Sequence, residues 1–527
     1  MRCAYAQIGS PDQPRLIHYR TAGSGPPLLM LHASPLSSAV LVPLMGALTD
    51  RALVIAPDTP DYGYSDPLPS AAEDLSPYVA AMIDLLDALG LARVGVYGTA
   101  TGAQIGIELA RAHPDRCAFL IADNAAHFSD ADQAAITEGY FPDLTPDPLG
   151  GHLVRTWSVA RDQMLFFPWQ QSHARLPSGS VDPAAVEMLG QQFLAAGSGY
   201  ATAYRAAFSN ERAERLMAVG VPTTVMRWEG SIVKPFTDRL EEFPLPDTIQ
   251  MEHCGPAIAD RLDGLARALA RHLNSAGLEA AAPAAPPAGM PRDYLGANHL
   301  YRDGAGPPLV VLHQPGFSGA VARQSLAPMA QDFTCLWPDL PGHGLSPAAA
   351  QPVAAAEALL TTMVEELGET PLLLALGESG GLGLHLAGKL NCPVALLNPR
   401  PAGNVPLPDL TLRASGGHWL EAWSWLRLRQ LFWPWDHTRP EAALAGTANL
   451  SVQLLNTQLK AALSCGDLAT AFGSLDLPLL SADGVAAHWL VLDGDPLGAV
   501  SPQVLPQAPW QKFKSVPELA TFLKSIG

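Results

Sequence analysis

Cysteine is scarce in this chain of 527 residues, and none of the six stands in a C-x-x-C spacing. Scattered as Cys3, Cys117, Cys254, Cys335, Cys392 and Cys465, they suggest neither a disulfide frame nor a zinc site. Reduced thiols in a cytoplasmic protein are expected. Basic residues are also short, with 32 Lys and Arg against 50 Asp and Glu and a formal net charge of -18. Without a run of Lys and Arg, binding to a phosphate backbone is not expected. No segment reaches the roughly 18 consecutive apolar residues of a membrane span. The opening Met1-Arg2-Cys3-Ala4-Tyr5-Ala6-Gln7 offers neither a signal peptide nor an anchor, so no membrane partner is expected. A metal-ligand cluster, a P-loop and a dinucleotide fingerprint are missing too, and no cofactor or metal is expected.

What is present describes a well-packed globule, with 48% hydrophobic and 16% charged residues. The length exceeds what one hydrophobic core serves. The Ala/Pro-rich run Ala280 to Gly289 cannot bury a core and reads as a semi-rigid linker. The expected organisation is a first domain over 1–275, a linker over 276–292 and a second domain over 293–527.

The two halves repeat each other. His18-Tyr19-Arg20 through Gly25-Pro26-Pro27-Leu28 leads to Leu31-His32, and Leu300-Tyr301-Arg302 through Gly306-Pro307-Pro308-Leu309 leads to Leu312-His313. The displacement that carries His32 onto His313 also carries Asp58, Pro60, Gly63 and Ser65 onto Asp339, Pro341, Gly344 and Ser346. Further on, Gly150-Gly151-His152 recurs as Gly416-Gly417-His418, and Trp157-Ser158 with Arg161 as Trp423-Ser424 with Arg427. Matches this dense and in the same order make the chain a tandem duplication. Leu28–Leu31, Leu53–Ala56, Val94–Tyr97, Leu309–Leu312 and Leu372–Leu376 are short continuous apolar runs, the pattern of strands buried on both faces. Helical patterns lie between them, such as 78–89, so the fold class is α/β with a doubly wound, mostly parallel sheet in each half.

A buried strand in the second half ends in Gly377-Glu378-Ser379-Gly380-Gly381, a G-x-S-x-G sequence at a strand–turn–helix junction. It lacks the terminal Lys-Ser/Thr of a phosphate loop. The strand–His turns at His32 and His313, the D-x-P-x-x-G-x-S loops and this elbow together resemble the α/β-hydrolase superfamily, twice over nearly the whole chain. The resemblance implies two tandem α/β-hydrolase domains, each with a helical cap inserted after the sixth strand, at about 128–212 and 402–475.

It also implies roles. Ser379 stands as nucleophile, Gly380 as oxyanion donor and Gln314 as the second donor, because Pro315 has no N–H. Asp495 is the acid, with Asp493 second. No histidine follows it, so the base falls to His418 in the cap repeat, ahead of His343 and His313; the plainer reading of His418 is a structural polar residue. In the first half Ala100 occupies the nucleophile position of Gly98-Thr99-Ala100-Thr101-Gly102, a lost nucleophile. His253 lies near the expected base position, Asp123 is an alternative acid, and His152 is a further acid/base candidate. Trp419, Trp423 and Arg427 are candidates for an aromatic-lined substrate pocket, against the plainer readings of cap packing and salt bridging.

Three functions compete. The leading one is a hydrolase cleaving an ester, thioester or related acyl bond of a hydrophobic or aromatic small molecule through Ser379, with the first half degenerate. The second is a cofactor-free lyase, isomerase or cyclase using acid/base residues. The third is a non-catalytic binding protein. A homo-oligomer is compatible with all three.

Overall fold

The computed structural model describes residues 1–172, 174–176, 180–400, 407–432, 438–444, 451–475, 477, 487–492 and 510–526. It divides into two compact units, Met1–Thr145 with Val154–Pro287, and Pro146–Leu153 with Ala288–Gly527.

The sheet of the first unit is built from β1 (Arg2–Ile8), β2 (Arg15–Ala22), β3 (Pro27–Leu31), β4 (Leu53–Pro57), β5 (Val94–Thr99), β6 (Cys117–Asp123), β7 (Thr223–Trp228) and β8 (Ile249–Cys254). Their spatial order is β1-β2-β4-β3-β5-β6-β7-β8. β1 and β2 run antiparallel and so do β2 and β4, while every later pairing is parallel. The continuous apolar run of β3 follows from its place at the centre. Leu29 and Leu31 pack beneath the helices Ser76–Ala88 and Thr101–Ala112, whereas Leu28 and Met30 point to the opposite face, against Leu265 and Leu269 of the helix Ile258–Ala276. Alternate side chains of one strand thus serve two cores. The Ala/Pro run is strapped to this unit, since Ala281 bridges Gly25 and the Ala284 N–H donates to Leu89 O at 2.9 Å.

The second unit repeats the plan with β9 (Arg292–Leu295), β10 (Asn298–Asp303), β11 (Pro308–Leu312), β12 (Thr334–Pro338), β13 (Leu372–Leu376), β14 (Val394–Leu397), β15 (Ala487–Leu492) and β16 (Trp510–Phe513). Their order, β9-β10-β12-β11-β13-β14-β15-β16, is the order of the first sheet. Here too β9–β10 and β10–β12 are the antiparallel pairs. Between β6 and β7 lie several helices, among them Pro183–Ala196 and Ala201–Asn210; between β14 and β15 lie Gly417–Leu431, Val452–Ser464 and Leu468–Ser474.

The repeated loop motifs have a structural office. Asp58 accepts from His18 Nδ1 at 2.9 Å, from Ser38 N at 2.7 Å and from Tyr64 N at 2.9 Å. Asp339 repeats the set with His299 Nδ1 at 2.9 Å, Gly319 N at 2.7 Å and Leu345 N at 2.9 Å. Gly63 and Gly344, with φ of 56° and 54°, sit against these carboxylates, where a Cβ would lie 2.2 and 2.3 Å from a carboxylate atom. The strand-end histidines are fixed as well. His32 Nδ1 donates to Ala33 O and Nε2 accepts from Thr59 N, both at 3.0 Å. His313 does the same with Gln314 O and Leu340 N, at 2.8 and 2.9 Å. Burial, aided by the neighbouring His343, pushes His313 down to about 3. Both of its ring nitrogens are engaged by backbone groups.

Candidate active site

At the end of β5 the chain turns sharply into the helix Thr101–Ala112. Ala100 sits at the apex with φ 50° and ψ −116°, a conformation that costs an L-residue of the order of 1–3 kcal/mol and persists only where its surroundings impose it. The imposing contacts are close. A Cβ on Gly98 would lie 2.1 Å from Gly102 O, and one on Gly102 would lie 2.2 Å from Leu31 O. The first unit therefore keeps an elbow while its apex carries only a methyl group.

In the second unit the sheet register corrects the placement of Ser379. β3 pairs Leu31 with Gly98, and the corresponding strand β11 pairs Leu312 with Ala375. Ala375 thus corresponds to Gly98, Gly377 to Ala100 and Ser379 to Gly102. Gly377 has the positive φ of the apex, 54°, while Ser379 has φ −80° and ψ 1° at the start of the helix Gly380–Leu390. Ser379 is 0% exposed, and its Oγ donates to His313 O at 2.5 Å. The residue expected at the apex is two positions beyond it and turned inward. Gly380 N–H is engaged with Gly377 O in the same turn, so it does not face a substrate oxygen. Gln314 occupies the apex itself, because a Cβ on Gly377 would lie 2.2 Å from its Nε2.

The expected bases are also elsewhere. His418 is buried, accepts from Arg413 N at 3.4 Å and packs edge-on against Trp419. His152, its repeat, accepts from Asp147 N at 3.2 Å. Each histidine closes the turn that opens its helix. His343 is buried with its Nδ1 on Pro341 O at 3.0 Å, and burial lowers its basicity. His253 lies on β8, where its half-exposed side chain pairs with Glu241 at 3.0 Å. Asp493 and Asp495 lie outside the described residues. Trp419 and Trp423 are core residues absent from the cavity wall, as is Arg427, whereas Arg429, half a turn further on, lines the cavity.

Each apex opens onto a cavity. That of the first unit, ≈ 370 Å³, is walled by Phe128, Tyr140, Phe167, Tyr204 and Phe208 around Ala100. Among the described residues two ionisable side chains, Glu211 and Arg261, reach it. Glu211, between the helices Ala201–Asn210 and Ala213–Met217, is 5% exposed. Its Oε2 accepts from Gln104 Nε2 at 2.5 Å and Ala126 N at 2.8 Å, leaving Oε1 for the cavity. Burial pushes its carboxyl well above the usual carboxylate range, against the Ala126 N–H, and so favours the protonated form. Arg261 binds Asp123 at 2.7 Å and Thr99 Oγ1 at 3.2 Å, under Tyr97, whose hydroxyl also donates to Asp123 at 2.7 Å. Asp123, a candidate acid, thus serves an arginine that cannot act as a base. No local motif marks Glu211 or Arg261 in the sequence, so neither stands out before the chain folds.

The cavity of the second unit, ≈ 490 Å³, surrounds Gly377 and is lined by Gln314, Phe317, Asn398 and Arg429 among leucines. Asn124 and Asn398, each following the strand beside its elbow, share a positive φ of 61° and 49°, another trace of the duplication. Among the described residues no three His, Cys, Asp or Glu gather as a metal site, and no helix is long and apolar enough to cross a membrane.

The alpha/beta hydrolase fold family matches residues 26–226. A haloalkane dehalogenase of Mycolicibacterium paratuberculosis is 33% identical over 126 residues, 23% of this chain and 42% of that protein. An uncharacterized hydrolase of Saccharomyces cerevisiae is 27% identical over 116 residues, 22% of this chain and 40% of that one. The chain spans less than half the length of these curated relatives. Among solved structures, epoxide hydrolase A from Mycobacterium thermoresistibile aligns at 19% identity and a TM-score of 0.40, over 53% of this chain and 99% of that one. An enol-lactonase from Burkholderia xenovorans aligns at 16% and 0.40, over 51% and 100%. Residues 26–226 thus match the alpha/beta hydrolase fold, and the second unit repeats the strand order of the first, so the chain carries two α/β-hydrolase-type domains in tandem.

Proposed function

We propose that this protein acts on a hydrophobic, aromatic small molecule in the cavity of the first unit, by proton transfer and without a covalent intermediate. One observation carries the reading: beside an apex without a nucleophile, the cavity wall holds a buried carboxyl, Glu211, whose burial favours its protonated form. A neutral carboxyl in an aromatic cavity is a hydrogen-bond and proton donor at neutral pH. A substrate oxygen, such as a ketone, lactone or ester carbonyl, is its natural partner, and the Arg261–Asp123 pair lines the same cavity.

The experiment is a turnover screen of aryl ketones, lactones and esters with wild type, Glu211→Gln and Ser379→Ala. Turnover lost in Glu211→Gln and kept in Ser379→Ala supports the reading. Turnover that survives Glu211→Gln, or tight ligand binding without turnover of any compound, defeats it; the latter outcome leaves a binding protein.

Acyl transfer through Ser379, oriented by Asp495 and His418, has less support. A nucleophilic hydroxyl must meet both base and substrate, and this one is buried on a backbone carbonyl. A fluorophosphonate probe is expected to leave Ser379 unlabelled in the folded protein, as read by peptide mapping. An adduct there would restore the serine-hydrolase reading. For the second unit by itself, a non-catalytic binding role is favoured by the Gln314 amide at the Gly377 apex.

A further inference from the structure

A second cluster of reactive side chains lies at the sheet edge of the first unit. β1 is the edge strand, and its Cys3 pairs with Arg20 of β2, two residues from His18 on the same strand face. Arg20 Nη1 donates to Cys3 Sγ at 3.1 Å, while His18 hydrogen-bonds the same thiol and donates from Nδ1 to Asp58 at 2.9 Å. Arg20 is partly buried; among the described residues it pairs with no carboxylate, and its Nε is buried without an acceptor. Burial alone would raise the Cys3 thiol, but the His18 hydrogen bond and the charges of Arg20 and His18 outweigh it and hold the thiol below its usual value. The duplication separates this arrangement from the structural one. His299 and Asp339 form the same dyad at 2.9 Å, yet Arg292 and Tyr301 take the places of Cys3 and Arg20 in the strand register. The dyad does without the thiol, so the thiol is an addition to it.

We propose that Cys3, with Arg20, His18 and Asp58 around it, is a site of S-thiolation by a small disulfide whose ends carry carboxylates. Reactive thiols sit partly exposed beside positive groups, whereas buried ones are inert. Cys3 meets both conditions, being partly exposed on an edge strand beside Arg20. Cys117, Cys254, Cys335 and Cys392 are buried, and burial pushes the partly exposed Cys465 up to about 12. In the step itself the Cys3 thiolate attacks one sulfur of the disulfide. The new S–S bond forms as the old one breaks, and the other half leaves as a thiolate that takes a proton from water. Cys3 is oxidised and the leaving half is reduced. The adduct carries no charge on sulfur, so Arg20 loses the anion it faced, and a carboxylate of the attached half can replace it. That exchange selects an anionic disulfide over a cationic one. The site lies on the sheet edge, goes beyond the Glu211 reading and does not depend on it.

The test treats the reduced full chain with oxidised glutathione or with cystamine, whose ends are cationic, and follows each cysteine by acid quenching and peptide mass mapping. At pH 7 Cys3 should take up glutathione about tenfold or more faster than Cys465, and faster than it reacts with cystamine. Arg20→Gln should slow Cys3 about tenfold and erase the preference for glutathione. The pH profile of wild type decides alone if that variant fails to fold. Between pH 7 and 9 the Cys3 rate should rise less than about fivefold, against more than about tenfold for an ordinary thiol titrating near 8.5. Equal rates at Cys3 and Cys465, equal rates with the two disulfides, a preference that survives Arg20→Gln, or an ordinary thiol's pH profile overturns the proposal.

Discussion

Asp58→Ala is expected to destabilise the first unit by about 3–5 kcal/mol, the usual consequence of removing one partner from a buried charged pair. The carboxylate is fully buried and takes hydrogen bonds from His18 Nδ1, the Ser38 N–H and hydroxyl, and the Tyr64 N–H. Alanine would strand all of them in a place water does not reach. His18 is itself 0% exposed, so an imidazole without its acceptor must remain neutral. Burial alone would raise the Asp58 carboxyl, but the charge and hydrogen bond of His18 hold it well below the usual carboxylate range. A depressed folded pKa contributes stability that is complete above the unfolded value of about 3.9 and fades as the pH falls toward the folded one. Hydrogen exchange of β2 and β4 amides measures the effect locally. Asp339→Ala should give the same loss in β10 and β12. A change under about 1 kcal/mol in either unit would mean that the dyads are incidental.

Glu211→Gln carries the second large effect, and it runs in two directions. The side chains are nearly isosteric, and both donors to Glu211, Gln104 Nε2 and Ala126 N, go to one oxygen. The glutamine carbonyl can take both and place its amide where Oε1 faces the cavity. Turnover should fall about 10²–10⁴-fold, the range for loss of a general acid, with ligand binding little changed. Stability should move the other way. A folded pKa raised above the unfolded value contributes stability that is complete below about 4.3 and is lost as the pH rises through the folded value. The variant should therefore melt higher than wild type at pH 8, and the gap should close near pH 4. A variant that melts lower at pH 8 would show that Glu211 is ionised and structural, removing the proton donor from the site.

The duplication has diverged at corresponding places. Ala100 and Gly377 both lack a nucleophile, but the first leaves the apex open to an aromatic cavity while the second is filled by Gln314. Gln163 and Arg429, alike two residues beyond the repeated Arg161 and Arg427, line their respective cavities. One unit buries an acid there and the other buries a cation, so the two cavities suit different chemistry.

Much of this was legible in the sequence because it is local. Continuous apolar runs announce strands covered on both faces, and the repeated His, Asp, Gly and Ser positions announce two copies of one loop. The loss of a nucleophile at Ala100 could be read from a single elbow. The register of the other elbow could not. Ala375, Gly377, Ser379 and Gly381 are all small, so two frames of the motif fit the same letters. Only the pairing of Leu312 with Ala375 decides between them. Helix faces needed the same arbitration, since Arg427 and Arg429 are equivalent in composition and only packing turns one of them inward. Glu211 was silent because its setting is assembled from Gln104 and Ala126, far along the chain. Local pattern fixes which elements form, whereas burial, charge and reach arise when distant segments meet, and these belong to the tertiary structure.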